Sequence, residues 1–277
     1  MRVKQRAIKN VLKYAVMFLI SLTIIIPIWD MVINSFKTPQ EAAIPTIQLP
    51  SEWQIAENYL KVIEKGKLIR SFKNSVLITS LSTASVVTIA TMAAYVFGRR
   101  KEKKIRFVFF LFLMGIIVPP SIIISTLLLK YMNLLGTFVG MILYNTATWC
   151  PLPIFILTSF MVTVPKELEE AAFIDGAGPG GIFSNVTLPL LKPAIATTGI
   201  WVTLKIWNDF LFPIYILAGK TKKYTMVLSL YFFRGQFYTA WNLVFADLVL
   251  ISIPVTVAFL FAQRHIVRGL TAGAIKG

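Results

Sequence analysis

The sequence predicts an all-α, polytopic membrane protein with six transmembrane helices. Three observations predict it: a very apolar composition, apolar runs of bilayer length, and an uneven placement of basic residues. Of 277 residues, 56% are hydrophobic and 14% are charged, whereas a soluble domain carries about a quarter charged residues. The mean hydropathy is +0.72. Apolar runs recur at Val11–Ile33, Val76–Phe97, Val108–Leu129, Phe138–Val164, Ala194–Ala218 and Leu243–Ala262. Each is close to the roughly 20 residues that a helix needs to cross a bilayer. Lipid offers no partner for backbone N–H and C=O groups, so runs of this length are expected as helices rather than strands.

The charge pattern orients them. Lys and Arg number 28 against 12 Asp and Glu, an excess that would fit nucleic acid if it were spread over a soluble surface. Here it is concentrated before the first run, in Arg99, Arg100, Lys101, Lys103, Lys104 and Arg106 between the second and third, and in Arg264 and Arg268 after the last. Basic residues in short loops mark the cytoplasmic side. An even number of spans then places both termini there, so no nucleic-acid partner is expected. Lys220, Lys222, Lys223 and Arg234 run against this pattern in the last external loop. The first run, although preceded by Arg2, Lys4, Arg6 and Lys9, is too long for a secretory signal and contains Asp30, so it is expected to stay as a span. Cys150 is the one cysteine and excludes an internal disulfide, and a buried apolar role is expected for it. His265, the one histidine, lies in a basic tail and is expected to be solvated.

These features divide the chain into three parts. Residues 1–69 hold an N-terminal stub, the first span and nearly all of the polar stretch Lys37–Ser71, read as an external loop with a short amphipathic helix. Residues 70–262 form the compact core, with a long cytoplasmic loop at 165–189. Residues 263–277 form a cytoplasmic tail. Proline stands within every span but the second, as Pro27, Pro119 with Pro120, Pro151 with Pro153, Pro213 and Pro254. Each is expected to kink its helix.

The loop from Pro165 to Pro189 is too long for a mere connector. Pro165 suits a first helical turn, Glu167, Glu169 and Glu170 complement the positive N-terminal dipole, and Ala171 and Ala172 favour helix. Gly176 is expected to stop this helix. Gly178, Pro179, Gly180 and Gly181 then force a turn, and a second short helix through Phe183 returns the chain to Pro189. The product is a protruding knob whose alanines, Ala171, Ala172 and Ala177, allow close approach.

Glu170-Ala171-Ala172, Asp175-Gly176-Ala177, Phe183, Leu188-Pro189 and Pro193, at this spacing, resemble the EAA motif of bacterial ABC importer permeases. Trp207-Asn208-Asp209-Phe210-Leu211-Phe212-Pro213 and the tail from Gln263-Arg264 through Gly269-Leu270-Thr271-Ala272-Gly273-Ala274-Ile275-Lys276-Gly277 are similar to the smaller permease subunit of maltose-type carbohydrate importers, as are Ser35-Phe36-Lys37, Asn74-Ser75 and Ala93-Ala94-Tyr95. The resemblance covers nearly the whole chain. It implies the type I importer permease fold in the bacterial inner membrane. It also implies partners: a second, homologous permease subunit, a dimer of ATP-binding subunits that hold ATP and Mg, an extracytoplasmic solute-binding protein, and a carbohydrate solute. Glu170, Ala171, Ala172, Asp175, Gly176 and Ala177 would form the coupling helix that docks on the ATPase, with Gly269, Leu270, Thr271 and Gly273 of the tail reaching toward the same partner. A permease for another solute class, and a channel or scaffold, are the competing readings.

No cofactor or metal is expected in this chain, and no catalytic residue. Gly219-Lys220-Thr221 mimics the end of a phosphate-binding loop, but Ile214 stands where that loop requires glycine. Among the polar residues in or near the spans, Asp30, Lys205, Asn208, Asp209 and Asp247 are too costly in lipid to face it. All five are therefore candidates for the translocation path, and Trp207 and Tyr215 join them as aromatic faces on which sugar rings could stack. Lys205 and Asp209, four residues apart, can alternatively share a helix face and neutralise each other.

Overall fold

The computed structural model describes the backbone of residues 2–235 and 239–274, and the side chains of residues 10, 12–235 and 239–261. Fourteen helices follow one another among the described residues: α1 (Arg2–Asn34), α2 (Pro39–Ala42), α3 (Ile55–Lys65), α4 (Leu68–Arg99), α5 (Lys103–Ile117), α6 (Ile122–Tyr131), α7 (Phe138–Trp149), α8 (Pro151–Thr163), α9 (Glu167–Ile174), α10 (Pro179–Ile182), α11 (Leu188–Trp207), α12 (Leu211–Ile216), α13 (Met226–Ser229) and α14 (Trp241–Ala274). The one β-type pairing among them is an isolated bridge between Arg234 and Thr239. The fold is all-α, as the composition and the run lengths require.

Three helices are each long and apolar enough to cross a membrane: Leu12–Asn34 within α1, α4, and Trp241–Phe261 within α14. Two further spans are bent pairs. The run read as one span at Val108–Leu129 is instead α5 and α6, at 120° to each other. Pro119 and Pro120 lie at this break, where proline cannot donate the helical hydrogen bond and its ring clashes with the preceding turn. The expected kink is a full break. Phe138–Val164 is α7 and α8, bent by 47° next to Pro151. The run Ala194–Ala218 is also divided. Helix α11 ends at Trp207, α12 begins at Leu211, and Asn208 to Phe210 form the break. At 20 residues α11 is about 30 Å long, which matches the hydrocarbon thickness, although Lys192, Lys205 and two prolines make it less apolar than its neighbours. Six spans are consistent with these helices, but half of them are interrupted.

The described residues form two compact units. One comprises residues 1–71 and 228–254, and the other residues 72–227 and 255–277. In the first, Val62, Phe233, Leu243 and Ala246 form a buried cluster with Tyr59, Ala240, Val244 and Leu250 against it. The amphipathic helix expected in the polar loop is α3, and it turns Asn58 and Val62 inward. Asn58 donates to the Ser35 and Lys37 carbonyls at 2.9 Å each and accepts from Asn242 Nδ2 at 2.8 Å. Lys37 is only 2% exposed. Its ammonium donates to Asn34 Oδ1 at 2.9 Å, to the Thr46 carbonyl at 2.7 Å and to Thr46 Oγ1 at 2.8 Å. Such full satisfaction is what allows a cation to be buried without a carboxylate. Nearby, the Ser51 hydroxyl and amide bind Glu41 and hold its carboxyl below the usual range.

In the second unit, Ile78, Val86, Ala90 and Ala94 of α4 pack inward together with Ile154, Leu157 and Met161 of α8 and Leu191, Ala194 and Val202 of α11. Cys150 is buried here as expected, within 3.9 Å of the Val86 carbonyl. Close contact between α4 and α8 depends on Gly98, where a Cβ would lie 2.6 Å from Met161 Cγ.

Replacing Lys37 with Met keeps the apolar stem and removes the three donated bonds. Lys37→Met is expected to lower stability by about 1–3 kcal/mol, the cost of leaving buried acceptors with too few donors. The check is a reduced thermal unfolding midpoint of the detergent-solubilised protein.

Candidate functional site

The expected knob is formed by α9 and α10. Helix α9 has three acids in its first turn, Glu167, Glu169 and Glu170, which suit its positive end. Its other end is a Schellman cap. The Gly176 amide donates to the Phe173 carbonyl at 3.0 Å and the Ala177 amide to the Ala172 carbonyl at 2.9 Å. This cap requires a left-handed residue, and Gly176 has φ +87°. Nothing lies within 4 Å of a Cβ built there, so within this chain Gly176 serves the bend and not a close approach. After the Gly178–Gly181 turn the second helix does not stop at Phe183. Instead α10 passes through a π-helical segment, Phe183–Thr187, straight into α11. Such wide turns recur at functional sites.

Of the six expected docking residues, Glu170, Ala171, Asp175 and Gly176 are exposed, and Ala172 and Ala177 are half-buried. The sequence reading missed their neighbours. Phe173 is 69% exposed and Ile174 is 83% exposed, two bulky apolar side chains at the tip of a polar loop. The missing cue was available, since an apolar pair in the last turn, just ahead of Asp175 and the helix-ending Gly176, has no core to enter when the helix is only two turns long.

A second omission is Arg99 with Glu169. Arg99 Nε lies 3.0 Å from each carboxylate oxygen of Glu169, and Nη2 lies 2.8 Å from Oε1. The same guanidinium donates to the Met161 carbonyl at 3.2 Å and the Val164 carbonyl at 3.1 Å, at the open end of α8. Thr187 completes the set by donating to Glu169 Oε1 at 2.9 Å. Both charged side chains are mostly shielded, 12% and 14% exposed. One ion pair therefore fixes α9 against the ends of α4 and α8 and the start of α11. Tyr95 of α4 and Phe183 reinforce it edge to face at 5.3 Å.

The path candidates separate. Lys205 and Asp209 do not pair, because α11 ends at Trp207 with Asn208 as its cap and Asp209 leaves the helix face that the pairing assumed. Lys205 instead lies over the Trp149 and Trp201 rings, at 6.0 and 5.7 Å, a cation–π arrangement. Asp209 Oδ1 accepts from the Phe212 amide at 3.3 Å, and its Oδ2 is buried with no partner among the described residues. Asn208 is exposed and its amide closes the end of α11 on the Leu204 carbonyl at 2.9 Å. Trp207 is buried against Phe72, so it presents no open stacking face here, whereas Tyr215 is half-exposed. In the other unit, Asp247 is buried and accepts from Ser229 Oγ at 2.7 Å, and Asp30 accepts from Asn34 Nδ2 at 2.9 Å. Gly269, Leu270, Thr271 and Gly273 lie on the backbone of α14. Their side chains, like that of His265, and all of residues 275–277 fall outside the described residues.

With this geometry in place, comparison with known proteins is decisive. Residues 75–272 match the family model described as binding-protein-dependent transport system inner membrane component. The chain belongs to this family. It is 34% identical over 275 residues to a putative ABC transporter permease protein of Caldicellulosiruptor sp. strain Rt8B.4, covering 98% of this chain and 99% of the relative. It is 31% identical over 281 residues to a trehalose/maltose transport system permease protein of Thermococcus litoralis, covering 99% of each. A crystal structure of a bacterial ABC transporter involved in import of the acidic polysaccharide alginate shares the fold, with a TM-score of 0.78 at 19% identity over 93% of this chain and 96% of that one. The protein is thus a multi-pass inner-membrane permease component, a transporter part rather than an enzyme. A permease of this kind works with a solute-binding protein and partner subunits.

The Arg99–Glu169 pair yields a prediction about this permease. Glu169→Gln leaves the shielded guanidinium without its carboxylate, at a cost of about 1.5–3 kcal/mol. Limited proteolysis is expected to cut between α9 and α11 faster than in the unaltered protein, whereas Glu167→Gln, on an exposed acid outside the network, leaves the cutting rate unchanged.

Proposed function

We propose that this permease is one of two homologous subunits of an ATP-driven carbohydrate importer, and that the α9–α10 knob carries the coupling to its ATPase. The observation that supports this best is the combination of an exposed apolar tip, Phe173 and Ile174, with a root held by a bidentate ion pair. An apolar tip attracts a protein socket, and a fixed root passes force from that socket into α4, α8 and α11 instead of dissipating it in a loop. Glu170 adds a carboxylate for a charge-assisted contact, and Ala171 and Ala172 keep the helix slim. Asp175, Gly176 and Ala177 complete the docking face. ATP and Mg are held by the partner chains. The termini, the knob and the basic loop after α4 lie on the cytoplasmic side, as the positive-inside rule requires, and the tail at Gly269, Leu270, Thr271 and Gly273 reaches toward the same ATPase.

Carbohydrate is favoured as the solute because relatives that match almost end to end are named for trehalose/maltose in Thermococcus litoralis and for multiple sugars in Streptococcus mutans. The break between α11 and α12 fits a path wall: Asn208 is exposed, Asp209 keeps a buried oxygen with no partner among the described residues, and Lys205 sits over two indole rings. Broken helices in membranes are tolerated where they line a cavity or are buried in protein.

The test is reconstitution of the complex in vesicles with its binding protein. Maltodextrins, trehalose and raffinose-type sugars are offered alongside amino acids and peptides, and a sugar is expected to be the solute that stimulates ATP hydrolysis and enters. Stimulation only by an amino acid or peptide would overturn the solute assignment. In the same assay Glu170→Leu and Gly176→Leu are expected to remove most of the stimulated hydrolysis and uptake while the protein still inserts. For Gly176 the expected strain is about 1–2 kcal/mol, from forcing a side chain into a left-handed conformation. Unaltered rates for both substitutions would remove the coupling role from the knob.

A further inference from the structure

Beside the ion pair, but not consumed by it, lies a cleft of about 760 Å³ formed by the end of α4, the start of α5, and the end of α8 with the turn into α9. This volume lies within the roughly 300–1,000 Å³ typical of small-molecule sites. Its polar lining is strongly one-sided. Arg100, Lys101, Arg106 and Lys166 face Glu167 as the one acidic lining residue, while Arg99 is already neutralised by Glu169. Arg100 has Glu102 only at 4.0 Å, with both side chains about two-thirds exposed. The start of α5 adds to the imbalance, because its N-cap residue Glu102 makes no side-chain cap and its first turn holds no acid, leaving cations at the helix end that prefers anions. The rest of the lining is mainly apolar, with Phe97 of α4, Phe109 and Phe110 of α5 and Val162 of α8 beside the hydroxyls of Thr158 and Thr163.

We propose that this cleft is a binding site for an anionic phospholipid, with the phosphate-bearing headgroup among Arg100, Lys101, Arg106 and Lys166 and the acyl chains along Phe109, Phe110 and Val162. Two features commit the site to a lipid rather than a soluble anion. The cations sit where membrane-spanning helices end, and the apolar floor continues along those helices, so a ligand matching the whole cleft must be charged at one end and hydrocarbon at the other. Basic pockets between membrane helices are general receivers of such headgroups. The site also abuts the root of the knob through Glu167, Lys166 and Arg99, so its occupant touches the segment that holds α9.

The experiment uses the assembled transporter in nanodiscs of phosphatidylcholine containing a small fraction of photoactivatable phosphatidylglycerol, followed by peptide mapping. Labelling is expected on peptides covering residues 97–110 and 158–167, and an equal fraction of photoactivatable phosphatidylcholine is expected to label them far less. Arg106→Gln and Lys166→Gln are each expected to reduce the labelling about fivefold, Arg106→Lys to retain it, and Lys220→Gln, on a cation outside the cleft, to leave it unchanged. Equal labelling by the two lipids, or labelling that survives Arg106→Gln and Lys166→Gln together in a protein that still assembles, would overturn the proposal. Displacement by millimolar inorganic phosphate would assign the cleft to a free anion, and labelling that appears only after the ATPase subunits are stripped from the transporter would assign it to protein docking, and either result also overturns it. The readout is lipid attachment and not transport, so its failure leaves the coupling role of the knob standing.

Discussion

The Arg99 guanidinium is the constraint on which the second compact unit depends. A guanidinium offers five donors in a flat fork, and here they are shared between one carboxylate and two helix-end carbonyls. Lysine could not replace it, because a single ammonium cannot grip both carboxylate oxygens while capping α8. The approach that brings Arg99 to α8 needs Gly98 beside it, since a side chain there would strike Met161. Packing and charge thus act through adjacent residues, and the short helix α9, only eight residues long, gains from this pair an order that a helix of its length lacks in water.

The broken helices follow a different logic. Pro119 with Pro120, Pro151, and the Asn208–Phe210 segment each interrupt a run that hydropathy presents as continuous. Every interruption frees backbone groups that lipid cannot satisfy, so these breaks must be covered by protein or line a polar passage. At the α11 break the Phe212 amide is met by Asp209 Oδ1, and the Asn208 side chain adds a second donor to the Leu204 carbonyl that its own backbone amide already bonds. The polar residues there therefore have a structural duty in addition to any contact with solute. The same economy holds for Lys37, whose burial closes the loop after α1 through three bonds.

The basic residues after α4 likewise divide into two roles that charge counting merges. Arg99 is an internal strut. Arg100, Lys101 and Arg106 face a cleft with little acid to oppose them. Hydropathy and the positive-inside rule treat all of them as one loop signal, and only their three-dimensional partners separate the strut from the open cations.

The sequence alone determined the all-α class, the positions of the apolar runs, and the helix, bend and helix of the knob, because run length, helix propensity and the conformational needs of Gly176 are local properties. Family membership was legible as well, since the EAA spacing lies within one continuous stretch. Tertiary structure decided what depends on partners far apart in the chain. Arg99 meets Glu169 across 70 residues of sequence, and Asn58 meets Asn242 across 184, so no local pattern announces either contact. It also decided where a helix stops. The four-residue spacing of Lys205 and Asp209 promised a shared face, but a face exists only while the helix continues, and α11 ends between them. Proline pairs were visible as kinks, yet whether a kink becomes a 120° break depends on what neighbouring helices can cover, which is a property of packing and not of the residues at the bend.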